Sequence, residues 1–267
     1  MDRRKELADA LECALRSCTV EAADYYSGLV ADAYAKLKST SFAAQPYADF
    51  VRTNGQPGLE IGCGDGEPLL ELCAGGLDVD GVDSSLDMVM RCRDNASRLG
   101  LNVDVHHQRV EDLALQRRYR SIYFAGPTFN LLPDDETACR ALQRIGENLT
   151  DHGVAMIPLW IPEPTPPAEM GVSREAEDHG AVLRYTALSE TYDETTRTRT
   201  TSARYEKVGA AAAETVDREW IIHWHTPDGF RALCDRAGMT VLRLADDITG
   251  ADPTDTSESF TATLQRA

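Results

Sequence analysis

Gly58-Leu59-Glu60-Ile61-Gly62-Cys63-Gly64-Asp65-Gly66, followed at the end of the next apolar run by Gly81-Val82-Asp83, decides how this chain is read. An apolar run entering glycines, then a helix, then a second apolar run closed by a carboxylate is one half of a nucleoside-binding α/β sheet. Glycine lets the backbone approach a ligand where a Cβ would collide with it. Asp83 stands about twenty residues beyond the glycines. At the carboxyl end of the neighbouring strand it can accept both hydrogen bonds from a ribose diol.

A dinucleotide site reads G-x-G-x-x-G, with a pyrophosphate on the helix N-terminus. Here the run is G-x-G-x-G, and Glu60 just before it would repel a phosphate. A ligand with a cationic or amino-acid part suits that carboxylate better. This stretch resembles motif I of the class I S-adenosylmethionine-dependent methyltransferases, an acid and an apolar residue ahead of G-x-G-x-G. Gly81-Val82-Asp83-Ser84-Ser85-Leu86-Asp87-Met88 resembles that family's second motif, G-h-D-x-S-x-x-M with h apolar. The resemblance is to the small-molecule branch. It covers residues 47–160 well and the stretch from 226 to the end in part.

Outside the motifs, composition narrows the possibilities. The chain has 267 residues, 42% of them apolar, enough for one large domain or one domain with an insertion. Its start is a mixed amphipathic stretch rather than a signal peptide, and no apolar run approaches a membrane span. The seven cysteines are scattered without C-x-x-C pairs, as expected of reduced thiols in a cytoplasmic protein. A net charge of −17 argues against a nucleic-acid substrate, which calls for a basic face.

From residue 58 onward, helical and strand patterns alternate, which predicts a doubly wound, mostly parallel, Rossmann-like seven-stranded α/β sheet. Four units are expected: an N-terminal helical lid over 1–50, a cofactor-binding core over 51–162, an antiparallel β insert over 163–225, and a completion of the core sheet over 226–267. In the lid, Leu7, Ala10, Leu11, Ala14, Leu15 and Cys18 fall on one helical face, and a second periodic piece carries Tyr25, Tyr26 and Tyr34. Ser84 with Asp87 reads as a capping box. Within the insert, strands are expected over 182–187, 191–199, 201–207 and 219–225. By position, that insert caps the site or forms a homodimer contact.

What the resemblance implies about residues is specific. S-adenosyl-L-methionine is the cofactor. Glu60, Gly62, Gly64 and Gly66 border its methionine part, Asp83 holds the ribose, and Ser84 and Met88 lie beside the adenine. At the adenine edge, where the family has an acid before an apolar residue, this chain has Arg109-Val110, so Val110 with Glu111 is expected there. Tyr34 occupies a place where relatives set an aromatic near the cofactor, and Phe42 one near the acceptor. Thr128, Phe129 and Asn130, at the end of the fourth core strand, are expected to face cofactor or substrate. Thr128 and Phe129 are read as acceptor-binding and Asn130 as catalytic.

Of the six histidines, His223 and His225 alternate with Trp224, so a period of two sets them side by side. They are the candidate bases. As a metal pair they lack a third ligand in the sequence pattern, and no metal is expected. Arg197 and Arg199 read as sharing one strand face that an anionic acceptor would use, with Glu190, Asp193 and Glu194 near enough to neutralise it. The resulting expectation is methyl transfer to oxygen or nitrogen of a small molecule such as a sugar, amine or secondary metabolite, with carbon also open. A protein or RNA methyltransferase and a non-catalytic S-adenosylmethionine-binding protein are the rivals.

Overall fold

All four residues of Gly58–Ile61 are buried on both faces, the signature of a parallel strand covered by helices on either side. In the computed structural model, which describes residues 25–38, 41–209, 213–254 and 256–267, this strand (β1) is paired on both edges within a seven-stranded sheet. The helix expected from the Leu7 stripe lies outside the described residues. α1 (Leu29–Leu37) and α2 (Gln45–Asn54) precede β1. Then follow α3 (Leu69–Ala74), β2 (Val79–Asp83), α4 (Leu86–Arg98), β3 (Val105–His107), β4 (Tyr119–Phe124), α5 (Asp135–Asn148) and β5 (Leu149–Trp160).

The first sheet has seven strands in the order β10-β11-β5-β4-β1-β2-β3, with β10 (Met239–Asp246) and β11 (Ser259–Arg266) completing one edge. β1 pairs in parallel with both β2 and β4, while β11 runs antiparallel to β5 and β10. The strand order reverses between β1 and β4, so the crevice lies where Gly62 and Ala125 leave the sheet. The expected mostly parallel, seven-stranded architecture is what forms. The core beneath it joins Leu59, Ile61, Ile122 and Phe124 to Ala155, Ile157, Phe260 and Ala262.

Local chemistry sets the helix starts. Ser85, rather than the expected Ser84, caps α4: its hydroxyl accepts from Met88 N at 3.2 Å. Asp134 caps α5 by accepting from Thr137 N at 2.8 Å. Thr226, ahead of Pro227, caps α6 (Pro227–Arg236).

A second, four-stranded antiparallel sheet follows β5 in the order β6-β7-β8-β9: β6 (Ser173–Asp178), β7 (Ala181–Asp193), β8 (Thr198–Val208) and β9 (Glu214–His223). Here the sequence reading needs correction. β7 is one long strand with a register shift between Ala187 and Ser189, not two strands, because the bulge absorbs the break in alternation. The hairpin turn falls before Thr198 and places Arg197 in a left-handed conformation at φ 54°, off the strand face it was expected to share with Arg199. β6, charged and exposed, carries no clear strand pattern. The inner face of this sheet packs Leu183, with Tyr185, Tyr205 and Val216, against Leu29, Ala33 and Leu37 of α1. No helix among the described residues is long and apolar enough to cross a membrane.

Candidate active site

The loop after β1 is tied to the end of β2. Gly64 N and Ser85 N each donate to one oxygen of Asp83, both at 2.8 Å. Gly64 adopts φ +53°, and a Cβ there would point at Tyr34 across 3.9 Å. Burial pushes the Asp83 carboxyl up, opposed by those two N–H groups. Glu60 is fully buried on β1; the Tyr123 hydroxyl donates to its Oε2 at 2.8 Å, while Oε1 has no partner among the described residues. Burial raises this carboxyl well above the usual carboxylate range.

These elements open onto a cavity of about 700 Å³. Gly62, Gly64 and Asp83 line it on the loop side, with Ser84 and Met88 at the start of α4. Val110 and Glu111 close the far side, and Tyr34 and Thr128 cover it. Glu60 and Gly66 are not among its walls. Glu60 lies beneath the loop, and the Gly66 Cα faces Leu70 and Cys92 instead, at φ +104°. Gly66 serves the turn into α3.

A second cavity of about 560 Å³ continues from the first and shares Tyr26, Tyr34, Thr128 and Leu131 with it. Phe42 is one of its walls and packs so closely on the loop after β4 that a Cβ on Gly126 would sit 2.2 Å from its ring. Much of the remaining wall was not anticipated from the sequence: Trp160 at the end of β5, Tyr185 and Tyr205 on the second sheet, and Trp220 on β9. The signal was available as alternation, since Tyr185 and Tyr205 are direct cross-strand partners on one face. The Tyr25 and Tyr205 hydroxyls lie 2.9 Å apart, and Ser85 Oγ donates to Tyr26 O at 2.5 Å, tying the entry of α1 to the cap of α4. Burial pushes the Tyr34 phenol up to about 12 and Tyr26 higher still.

Besides Glu60 and Gly66, four expected site residues stand behind these cavities rather than in their walls. Residues 128–131 form one turn of 3₁₀ helix, in which positions three apart coincide. Thr128 and Leu131 therefore face the ligand space, while Phe129 and Asn130 face the core. Phe129 packs edge-on against Phe124 and Phe230. Asn130 is a clamp: its amide nitrogen donates to Trp160 O and His223 O at 2.9 and 3.0 Å, and its oxygen accepts from Trp160 N.

His223 and His225 do lie side by side, ring centres 4.6 Å apart, but both are about 2% exposed and line neither cavity. They face Asp135, whose Oδ1 is 3.4 Å from His223 Nε2 and 3.6 Å from His225 Nδ1. Asp135 is the third group that spacing alone did not reveal, because α5 brings it there. The three donor atoms lie within 4.8 Å of one another, a spacing a metal ion could use. A cation already serves the carboxylate: Arg197 Nη2 is 2.5 Å from Asp135 and 3.4 Å from His223 Nε2. Burial lifts Asp135, but the hydrogen bond and charge of Arg197, with the two imidazoles, outweigh it and hold the carboxyl below its ordinary value. Burial lowers both histidines, His225 to about 3; the Arg197 guanidinium adds to it at both and the His223 imidazole at His225, against Asp135. They are neutral linkers between α5 and the second sheet.

Residues 59–153 match the family model described as a methyltransferase domain. No curated protein matches the chain. Among solved structures, the CcbJ methyltransferase from Streptomyces caelestis is similar at 20% identity and a TM-score of 0.70, over 91% of this chain and 98% of that one. A S-adenosylmethionine-dependent methyltransferase from Clostridium acetobutylicum aligns at 14% identity and a TM-score of 0.67, over 89% and 97%. CalS10, an amino pentose methyltransferase from Micromonospora echinaspora solved with S-adenosylmethionine, aligns at 20% identity and 0.59, over 82% and 89%. At these identities the structural likeness establishes the fold, and the methyltransferase-domain match covers residues 59–153.

Proposed function

We propose, from a chain whose residues 59–153 form a methyltransferase domain, that this protein is a S-adenosylmethionine-dependent enzyme that methylates oxygen or nitrogen of a small molecule seated between its two sheets. The observation that carries the reading is the pair of continuous cavities. One is walled by the glycine loop and Asp83, the other by aromatic rings, and they meet at Tyr26, Tyr34, Thr128 and Leu131. A group-transfer enzyme needs donor and acceptor spaces that share a wall.

The residues present fit the donor. Asp83 is held by two N–H groups with lone pairs left for a diol, and Gly64 leaves room where a side chain would close the space. When bound, S-adenosylmethionine supplies an electrophilic methyl group open to in-line attack.

The chain's own part is alignment and exclusion of water. Tyr26 and Tyr34 hold their phenols protonated through the neutral range, so they orient as donors and do not act as bases. Among the described residues no carboxylate and no imidazole lines the second cavity, which favours an acceptor whose lone pair is already available, as on a neutral amine. CalS10 acts on an amino pentose, and an amine that arrives neutral meets the same requirement. The second sheet and α1 roof the space, which suits a small acceptor better than a peptide or RNA groove. In this reading the insert caps the acceptor cavity.

Calorimetry on the wild-type chain and Asp83→Ala tests the donor site. S-adenosylmethionine is expected to bind the wild type and to lose at least tenfold (~1.4 kcal/mol) in the variant. Transfer of a labelled methyl group to amine and hydroxyl acceptors then tests catalysis. Absence of binding to the wild type would sink the reading.

A further inference from the structure

The inner face of the second sheet, the wall of the acceptor cavity, carries an excess of donors over acceptors. On β6 and β7, Arg174 and Tyr185 are cross-strand partners; on β8 and β9, Tyr205 pairs with Val216 and Trp220 with Thr201. By strand alternation Arg218, between Val216 and Trp220 on β9, shares that face. Two carboxylates on this face are already engaged, and a further one, Glu214, is exposed at the start of β9 opposite Lys207. Glu190 lies 3.7 Å from Arg199 and accepts from Thr165 and Thr201, and Asp178 lies 3.5 Å from Lys207.

Arg174 lines the cavity and has no carboxylate partner among the described residues. Its guanidinium lies over the Tyr185 ring at 4.6 Å. Trp220 Nε1 and Arg218 Nε are buried donors without an acceptor among the described residues. The charges of Arg174 and Arg218 both bear on the Tyr205 hydroxyl, which Tyr25 meets at 2.9 Å. The outer face of the same sheet is matched: Arg204 pairs with Asp217, and Arg184 with Glu175 and Glu206. Arg174 is solvent-exposed where it lines the cavity, and a ligand there would supply acceptors to it and to the buried Trp220 Nε1.

We infer that the acceptor is a ring-bearing molecule carrying an anionic oxygen group, a carboxylate or phosphate, seated against Arg174 and the Tyr185–Tyr205 hydroxyls with its ring among the aromatic walls. A guanidinium fork beside hydroxyls recognises either oxyanion, and Trp160, Tyr26 and Phe42 supply flat faces for the ring. The inference rests on the methyltransferase reading for the word acceptor, not for the site itself.

Calorimetry on the full chain, with and without saturating S-adenosylhomocysteine, tests it with three probes of one shape: 1-naphthoate, 1-naphthyl phosphate and neutral 1-naphthamide. At least one anion is expected to bind about tenfold or more tighter than the amide, and the stronger of the two identifies the oxyanion. In Arg174→Gln that preference is expected to collapse to about threefold or less, while S-adenosylhomocysteine binds as in the wild type. Equal affinity for acid and amide, a preference that survives Arg174→Gln, or no binding by any probe would overturn the inference. Failure of S-adenosylhomocysteine to bind the wild type would overturn the methyltransferase reading instead, and the probe comparison without it would still decide the anion site.

Discussion

Gly126 shows how much one residue can carry. It leaves β4 at φ +67°, its N–H donates to the Tyr47 hydroxyl at 2.9 Å, and the space its Cβ would take is filled by the Phe42 ring. Gly126→Ala therefore meets backbone strain and a clash together. It is expected to cost about 2 kcal/mol or more in urea unfolding and to expel Phe42 from the acceptor wall. A stability within about 0.5 kcal/mol of wild type would show that the ring gives way freely. Glycine at this place is visible in the sequence, but its reason is not: Phe42 is remote in the chain, and only folding brings its ring there. Asp83 is the opposite case, because its two N–H donors, Gly64 and Ser85, belong to the same motif.

At the scale of elements, the 3₁₀ turn after β4 divides adjacent residues between two jobs. Sequence reading treats Thr128, Phe129 and Asn130 as one group because they are neighbours. The turn's three-residue period gives Thr128 and Leu131 to the cavities and leaves Phe129 and Asn130 in the core. Two substitutions should separate these roles. Phe129→Ala is expected to destabilise the fold by about 3–5 kcal/mol, as for a fully buried aromatic. Thr128→Ala is expected to stay within about 1 kcal/mol in stability while changing the affinity for donor or acceptor. The reverse pattern in parallel unfolding and calorimetric titrations would refute this division. β9 sorts its side chains in the same way: Trp220 and Ile222 line the second cavity, while His223, off their face, turns towards Asp135.

At the scale of the molecule, the two sheets are joined through the half-exposed pair Asp135 and Arg197 and the buried His223 and His225, with Asp134 adding its charge at His223. His225 titrates near pH 3 when folded against an ordinary value of 6.5, so the unfolded chain binds the extra proton first. Its contribution to stability is complete above about pH 6.5 and is lost progressively as pH falls towards 3. Asp135, held low, loses its contribution in the same acid direction. The melting temperature is expected to fall on acidification through this window, and His225→Phe, among Phe129 and Phe230, is expected to flatten the slope. An unchanged slope in the variant would show that the imidazole is not the group responsible.

The sequence by itself determined the parallel core, the order of its strands up to β5, and the donor loop with Asp83. These follow from local signals: apolar runs, glycines at fixed offsets and a carboxylate at a strand end, all within about thirty residues of one another, the span of one βαβ unit. The helix caps were readable to within one residue, Ser85 rather than Ser84. Only the tertiary structure decided the acceptor cavity. Its walls come from α1, the loop before α2, the end of β5 and all four strands of a second sheet whose pattern a bulge interrupts. No local period links Phe42, Trp160, Arg174 and Trp220, so their meeting is a property of packing. The same holds for the histidine pair: alternation placed the rings side by side, but which way they faced depended on where α5 set Asp135.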